Sequence, residues 1–240
     1  MVKFNWSTLD KTAIIDSLLL LSPKVVKVGI TVTKFHSLIT KQLKKIAPVR
    51  TRKHKHNRVD PGTVWVGGCY YSDWDKEKEK CIEILFEYSD SNPKICLTQL
   101  QFWKICNNVA DTLLHEVIHM RQYRRRKFKS LPDYASNAEK TELRKEQRYL
   151  GCSDEIDAYS FNIACELYLR FDGDYYQIIN YLNENQKGKR RRHNSWRMYL
   201  KAFEHDHNHP IIQRVKKKVV RYLPFAEIGK PYRNKDWIDR

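Results

Sequence analysis

Long hydrophobic runs, glycine and proline are all scarce in this 240-residue chain. Eight glycines and eight prolines are too few for a collagen-like or linker-dominated architecture. No apolar run approaches the ~20 residues that a membrane-spanning helix needs, and no signal-peptide pattern is visible. We therefore expect no membrane partner and a protein that stays in the cytoplasm, where it is made.

The six cysteines carry no metal-site pattern in their spacing. No two of the six cysteines are separated as Cys-x-x-Cys, which argues against a thiolate zinc site. In a chain of this length without a secretion signal, free buried thiols are expected. Cys69 and Cys81 are the pair that a hairpin could bring face to face.

The chain contains only 28 aspartates and glutamates against 45 lysines and arginines, which gives a net charge of +17. The excess is concentrated in five segments, at residues 41–45, 50–58, 121–129, 187–192 and 216–221. A field of this sign attracts polyanions, most commonly nucleic acid, although a solvated basic surface would have the same composition. Zinc-finger, basic-zipper and RNA-recognition patterns are absent, so the charge indicates a class of partner only.

The apolar pattern predicts strands followed by helices. Residues 8–21 have helical spacing and should end at Pro23, and residues 36–46 form a basic amphipathic helix. Strands are predicted at 24–33, 63–71 and 80–89, the last two as an antiparallel pair joined by a charged turn. The basic segment 50–61 is predicted to be a loop.

The longest helix should begin at a capping box formed by Thr98 and Gln101 and run to about residue 127. It is apolar around most of its circumference and should be buried. Further helices are predicted at 135–148, 154–171, 175–185, 195–203 and 210–222. This order indicates an α+β fold, with a small antiparallel or mixed sheet packed on the buried helix. We expect a core at residues 1–172 and a basic helical extension at 173–240.

The predicted buried helix carries the sequence His-Glu-Val-Ile-His at residues 115–119. Side chains four residues apart lie one above the other on a helix, so His115 and His119 can bind one cation with Glu116 beside it. A catalytic zinc ion needs a third protein ligand and an open fourth position. Because polar groups are costly inside an apolar helix unless they are paired, the pattern favours a metal site over two ordinary core histidines.

The third ligand is less clear from the residues alone. Metzincins require Gly at 122 and His at 125, where this chain has Gln122 and Arg125. No histidine occurs between His119 and His193. The nearest carboxylates open the next predicted buried helix: Asp154, Glu155 and Asp157.

His115-Glu-x-x-His119 followed by Glu155-x-x-Ala158 resembles the gluzincin metallopeptidases, most closely the minigluzincin type and small predicted metallopeptidases of bacteriophages. The resemblance covers about residues 63–171 and implies a zincin-like fold. It implies that His115, His119 and Glu155 bind Zn²⁺ and that Glu116 is the general base. In that family the small residue matched by Ala158 lets the two helices approach.

One departure from the family concerns the support of the histidines. Larger gluzincins carry an acidic residue four positions after the ligand Glu, where this chain has Tyr159. Asp111, one turn before His115, could provide that support instead.

The implied activity is that of a zinc metalloendopeptidase acting on a protein or peptide substrate, with possible nucleic acid nearby. Such a zinc ion lowers the pKa of its bound water to ~7, and Glu116 would pass the proton of that water to the leaving amine. Tyr149, Tyr159 and His193 are candidates for stabilising the oxyanion. In this family a strand bordering the cleft holds the substrate as an added strand, which would be 63–71 or 80–89 here.

Residues 205–209, His-Asp-His-Asn-His, resemble a second metal site only superficially. Alternating side chains of an extended segment point to opposite sides, and the next helix should begin at Pro210. We predict a polar loop that caps this helix.

Two other functions fit parts of the sequence. A SprT/Spartan-type protease acting near DNA shares the first motif and would explain the charge, but such enzymes have a third histidine soon after it, which this chain lacks. A basic nucleic-acid-binding or virion-associated protein with an inactive zincin scaffold also fits the charge. The intact Glu116 argues against it, because a purely structural zinc site needs no base. The oligomeric state has no signature in the sequence.

Overall fold

A computed structural model describes residues 4–77, 80–89, 94–129, 141–184 and 194–231. These residues form helices and a small mixed sheet, so the α+β prediction is confirmed. They divide into two compact units, one ending at Met120 and the other beginning at Arg121. The proposed boundary at residue 172 stays a prediction.

The first unit begins with a short 3₁₀ turn (Trp6–Thr8) and helix α1 (Lys11–Leu19). Asp10 caps α1 by accepting a 2.7 Å hydrogen bond from the backbone N–H of Ala13. Pro23 lies in the first turn of helix α2 (Ser22–Val25), where proline is well tolerated, and so begins a helix rather than ending one.

The strand predicted at 24–33 is wrong except for β1 (Ile30–Thr31). Lys27 and Gly29 adopt positive φ values of 60° and 62°, which interrupt an extended strand despite the β-branched composition. Thr31 caps helix α3 (Val32–Ile46), the basic amphipathic helix that the sequence predicts.

The sheet contains β2 (Arg50–Lys55), β3 (Val64–Tyr70) and β4 (Ile82–Tyr88), in the order β2-β4-β3. β3 and β4 are antiparallel, as predicted, and the charged link between them contains helix α4 (Ser72–Lys76). β2 lies parallel to β4, so the loop predicted at 50–61 is wrong for its first six residues. The sequence pattern does not predict β2, because this strand lies at the sheet edge and its basic side chains are largely exposed, without apolar alternation.

The two faces of the sheet differ sharply. Along β4, Ile82, Ile84, Phe86 and Tyr88 are buried, whereas the residues between them are only partly covered. Phe35 of α3 packs edge-on against both Phe86 and Tyr88, with ring centroids 6.5 Å apart in each case. This alternation confirms that one side of β4 faces the core.

Helix α5 (Gln99–Arg125) follows β5 (Lys94–Ile95), a short strand paired with β1. Thr98 and Gln101 form the predicted capping box: each side chain accepts a hydrogen bond from the backbone N–H of the other residue. The central residues of α5 are almost all buried, as expected for an apolar helix. Trp103, near the start of the helix, is an exception and is 39% exposed.

The second unit is helical and contains α6 (Glu142–Gly151), α7 (Ser153–Arg170), α8 (Tyr175–Asn183), α9 (Ser195–Ala202) and α10 (Pro210–Glu227). α7 is buried along most of its length. Tyr222 of α10 packs against Phe161 of α7, with ring centroids 5.7 Å apart. α10 continues five residues beyond its predicted end and includes Pro224. The first part of the helix predicted at 135–148 lies outside the described residues.

The histidine-rich segment before α10 is the capping loop that the sequence predicts. His209 is the N-cap of α10, and its Nδ1 atom accepts a hydrogen bond from the backbone N–H of Ile211. Asp206 accepts a hydrogen bond from the backbone N–H of Asn208. These contacts use the polar side chains to stabilise the turn and the start of the helix.

All six cysteines are free, as predicted, but only four are buried, and Cys69 and Cys96 are exposed. Cys81 is buried with its Sγ atom 3.8 Å from the sulfur of Met120, while Cys69 is exposed and lies opposite Glu83 in the sheet register. Across the described parts of the chain, we find no helix with the length and hydropathy needed to cross a membrane.

Candidate metal centre

Helix α5 places His115 and His119 one turn apart, with their rings in an edge-to-face arrangement. Their Nε2 atoms are 3.0 Å apart, and the ring planes meet at 76°. Two nitrogen ligands of a tetrahedral zinc ion, each bound at 2.0–2.1 Å, lie roughly 3.3 Å apart. Both rings are only 7% exposed. The pair therefore has the separation and burial of two ligands of one cation.

Glu155 of α7 completes the group. It is 3% exposed, and one ligand atom from each of His115, His119 and Glu155 lies within 4.8 Å of the others. The structure thus brings together the three residues that the sequence singled out. Two imidazole nitrogens and one carboxylate oxygen form a buried donor set that could bind a metal ion.

The first turn of α7 is held by residues that follow His119. Gln122 donates a hydrogen bond to the carbonyl oxygen of Asp154, and Arg126 binds the Asp154 carboxylate through two bonds of 2.8 and 2.6 Å. Bidentate arginine–carboxylate pairs of this kind restrict orientation as well as distance. Because Asp154 precedes Glu155 directly, these contacts hold the turn of α7 that carries Glu155.

The two alternative third ligands have other partners. Asp154 is neutralised by Arg126, and Asp157 lies 2.6 Å from the Nζ atom of Lys218 and 3.0 Å from the hydroxyl of Tyr222. Asp157 therefore joins α7 to α10. Among the described residues, the cluster with metal-ligand geometry contains Glu155 and neither aspartate.

Glu116, the proposed base, is 7% exposed and lies against strand β3. A Cβ atom placed on Gly68 would come within 3.2 Å of Oε1 and Cγ of Glu116 and within 2.4 Å of the methyl group of Thr112. The lack of a side chain at Gly68 therefore allows the strand backbone to approach the helix.

β3 is also the better placed of the two strands predicted to hold a substrate. Within the described part of the chain, β4 has a neighbour on each side, whereas β3 pairs with β4 alone. Its other edge presents backbone groups that can pair with an extended peptide.

Changing Gly68 to Ala is expected to destabilise the protein by about 1–3 kcal/mol, because the new methyl group overlaps that of Thr112. Urea unfolding of the whole chain measures this effect. Gly67 is the matched control, since a Cβ atom there meets nothing within 4 Å and Gly67→Ala should leave the free energy of unfolding nearly unchanged. Equal stability of the two variants would contradict the close approach of β3 to α5.

Two of the three candidates for oxyanion stabilisation lie beside the third ligand. The hydroxyl of Tyr149 hydrogen-bonds to Glu155 and to Tyr159, and burial followed by these two groups raises the pKa of Tyr149. The rings of Tyr149 and Tyr159 pack edge-on with centroids 6.5 Å apart. Tyr149 therefore contacts the carboxylate of Glu155 directly. His193 lies outside the described residues.

Asp111, the expected support of His115, has two described partners. Its carboxylate lies 2.7 Å from Nζ of Lys11 and accepts a 3.0 Å hydrogen bond from Asn107. Both Lys11 and Asp111 are largely buried. Support of His115 by Asp111 stays a prediction.

Sequence reasoning missed Gly68, Gln122 and Arg126 as parts of this site. A glycine pair inside a predicted strand is a signal for close backbone approach, and residues 67–68 carry it. Gln122 lies one turn after His119 on the same helix face, which is a weaker signal. The role of Arg126 depends on the fold and has no signature in the sequence.

Comparison with known proteins identifies no family for this chain. No protein-family model matches the chain, and searches of curated proteins and of solved structures found no match either. A fold alone does not define an activity, so the function has to be inferred from the chemistry of the site.

Proposed function

We propose that this protein is a zinc-dependent metalloendopeptidase of the gluzincin type. The observation that carries the proposal is the buried group of His115, His119 and Glu155, with Glu116 on the same helix as the two histidines. A structural metal site would have no use for a carboxylate next to its ligands. A hydrolytic site requires one, as a base for water.

The donor set favours zinc among the common metal ions. Imidazole nitrogen is a preferred ligand of zinc, whereas magnesium and calcium select sites made of oxygen atoms. Three protein ligands are the number found in catalytic zinc sites. A bound zinc ion would lower the pKa of water and polarise the carbonyl group of a peptide bond.

Proton transfer, support of the third ligand and alignment of the substrate are assigned to residues of the chain. Glu116 accepts a proton from the attacking water and delivers it to the leaving amine, as general base and then general acid. Tyr149 and the Arg126–Asp154 pair hold Glu155 and the turn that carries it. Hydrogen bonds from the open edge of β3 would align a peptide beside Glu116, which lies close to the strand because Gly68 has no side chain.

The wild-type protein itself provides the direct test. Metal analysis of the purified chain should find about one zinc ion per molecule, and a library of unstructured peptides should be cleaved internally, as read by mass spectrometry. A chelator should stop the cleavage and added zinc should restore it, because the ligands bind a removable ion. Zinc-free protein that binds no zinc on addition, or metal-loaded protein without hydrolytic activity, would contradict the proposal.

A further inference from the structure

The sheet has a second face that the proposed hydrolytic site does not use. Residues paired in register share a face, so Arg50, Arg52 and His54 of β2 lie on the same side as Glu83 and Glu87 of β4 and Trp65 of β3. We call this side the outer face. Side chains alternate between the two faces along a strand, so Gly68, three residues after Trp65, belongs to the opposite side, where it lies close to Glu116. The outer face and the proposed base are therefore on opposite sides of one sheet.

Planar side chains are distributed along the outer face. At one end, the guanidinium of Arg50 lies 3.9 Å above the ring of Trp74, which packs on Tyr71 with a centroid separation of 3.9 Å. At the other end, His56 and Trp65 are 6.3 Å apart and inclined by only 31°. Trp65 is 47% exposed, a large fraction for tryptophan. Residues 65 and 71 are about 20 Å apart along an extended chain.

The segment that contains β2 and α3 is strongly basic, although α3 itself packs on the other face of the sheet. Residues 17–59 include eleven lysines and arginines and no aspartate or glutamate. A cleft of about 570 Å³ runs beside β2 and is lined by side chains of α3, β2 and the start of β4, including those of Lys44, Arg50, Arg52 and Lys80. Of the two acidic residues of the outer face, Glu83 lies 3.2 Å from Arg52 and Glu87 lies 3.7 Å from the imidazole of His54, while Lys44, Arg50 and Lys80 add three further positive charges around the cleft. The excess charge available to a partner is therefore positive.

We propose that the outer face and its basic cleft bind single-stranded nucleic acid. Every base can stack on an exposed aromatic ring, whatever the nucleic-acid sequence, and a positive groove can follow the phosphate backbone. Trp65 provides an exposed ring, and Lys44 and Arg52 provide positive charge in the cleft. In a duplex the flat faces of the bases are stacked on one another, so a duplex could bind this surface only through its phosphate charges. The inference is independent of the proposed hydrolysis, because it involves neither Glu116 nor the metal ligands.

Fluorescence anisotropy with labelled dT and U 20-mers and a 20-base-pair duplex tests the proposal on the full chain. Both single strands should bind more tightly than the duplex. Trp65→Ala should weaken single-strand binding at least about five-fold, the low end of base–aromatic stacking, and Trp65→Phe should restore most of it. Lys44→Gln with Arg52→Gln should lower the slope of log Kd against log salt by about 1.4, since each phosphate contact on a single strand contributes about 0.7.

Lys217→Gln with Arg221→Gln removes the same charge from exposed positions of α10 and serves as the control. It should leave the salt slope nearly unchanged. Circular dichroism and thermal melting of each variant establish that it is folded. An unchanged affinity in folded Trp65→Ala, or equal losses in the two charge-matched pairs, would overturn the proposal in favour of diffuse charge. Tight binding of duplex DNA or of anionic phospholipid vesicles in preference to single strands would also overturn it.

Discussion

Glu155→Ala is expected to lower zinc affinity by roughly 100-fold or more. Loss of a residue that merely orients a zinc ligand costs 10- to 100-fold in affinity, so loss of the ligand itself should cost at least as much. The remaining His115–His119 pair offers two donors on one helix, too few for a catalytic zinc site. Competition with a zinc indicator dye measures the affinity, and metal analysis of the purified variant gives the occupancy.

The same change should remove most of the stabilisation of the fold by zinc. A ligand at 1,000 times its Kd stabilises a folded protein by about 4 kcal/mol, which corresponds to roughly 10 °C in melting temperature for a chain of this size. At the same zinc concentration, a 100-fold weaker affinity leaves about 1.4 kcal/mol of this stabilisation, so zinc should raise the melting temperature of Glu155→Ala by no more than about a third as much as that of the wild type. Glu146→Ala, an exposed carboxylate on α6, controls for the loss of charge and should behave like the wild type. Full zinc occupancy in Glu155→Ala would show that the third ligand is assigned wrongly.

Glu116→Gln should abolish most hydrolysis while retaining zinc. The amide has nearly the shape of the carboxylate, so the contact with Gly68 is preserved, but it cannot accept the proton of a water molecule at neutral pH. General base catalysis contributes 10²- to 10⁴-fold, and kcat should fall by about that factor with little change in KM. Cleavage of a peptide identified from the wild-type digest provides the assay.

Two observations decide how the result with Glu116→Gln is interpreted. Glu146→Gln should retain full activity, which separates the loss of the base from the loss of a negative charge. Equal zinc content in Glu116→Gln and the wild type separates the chemical step from metal binding. Wild-type kcat in metal-loaded Glu116→Gln would mean that another group activates water, even if the three ligands are correct.

The zinc and hydrolysis experiments test the proposed function, and the nucleic-acid assay tests the outer face, so either proposal can be contradicted without the other. Trp65 and Arg52 lie on the outer face, so their variants should keep zinc and peptide hydrolysis. Glu155→Ala and Glu116→Gln should in turn keep single-strand binding. A protein that binds nucleic acid without hydrolysing peptides would support the inference about the outer face and contradict the proposed function.

Secondary structure was predictable wherever a periodic apolar pattern coincided with a local signal. α3, α5, α7 and the β3–β4 pair have both, such as the capping box at Thr98 and the alternation along β4. β2 was missed because its side chains are basic and exposed, and only pairing with β4 makes it a strand. The segment after α2 was predicted as a strand because its β-branched residues favour one, but the positive φ values of Lys27 and Gly29 break it.

The sequence by itself determined that His115 and His119 share a helix face with Glu116 beside them, because helical periodicity is a local property of the chain. It also limited the third ligand to three carboxylates. Only the tertiary structure decided among them: Arg126 and Lys218 engage Asp154 and Asp157, while Glu155 joins the histidines. The approach of Gly68 to α5 and the pairing of the basic strand β2 with β4 were also decided only by the tertiary structure. Contacts between residues distant in sequence depend on how the elements pack, and no local pattern predicts that packing.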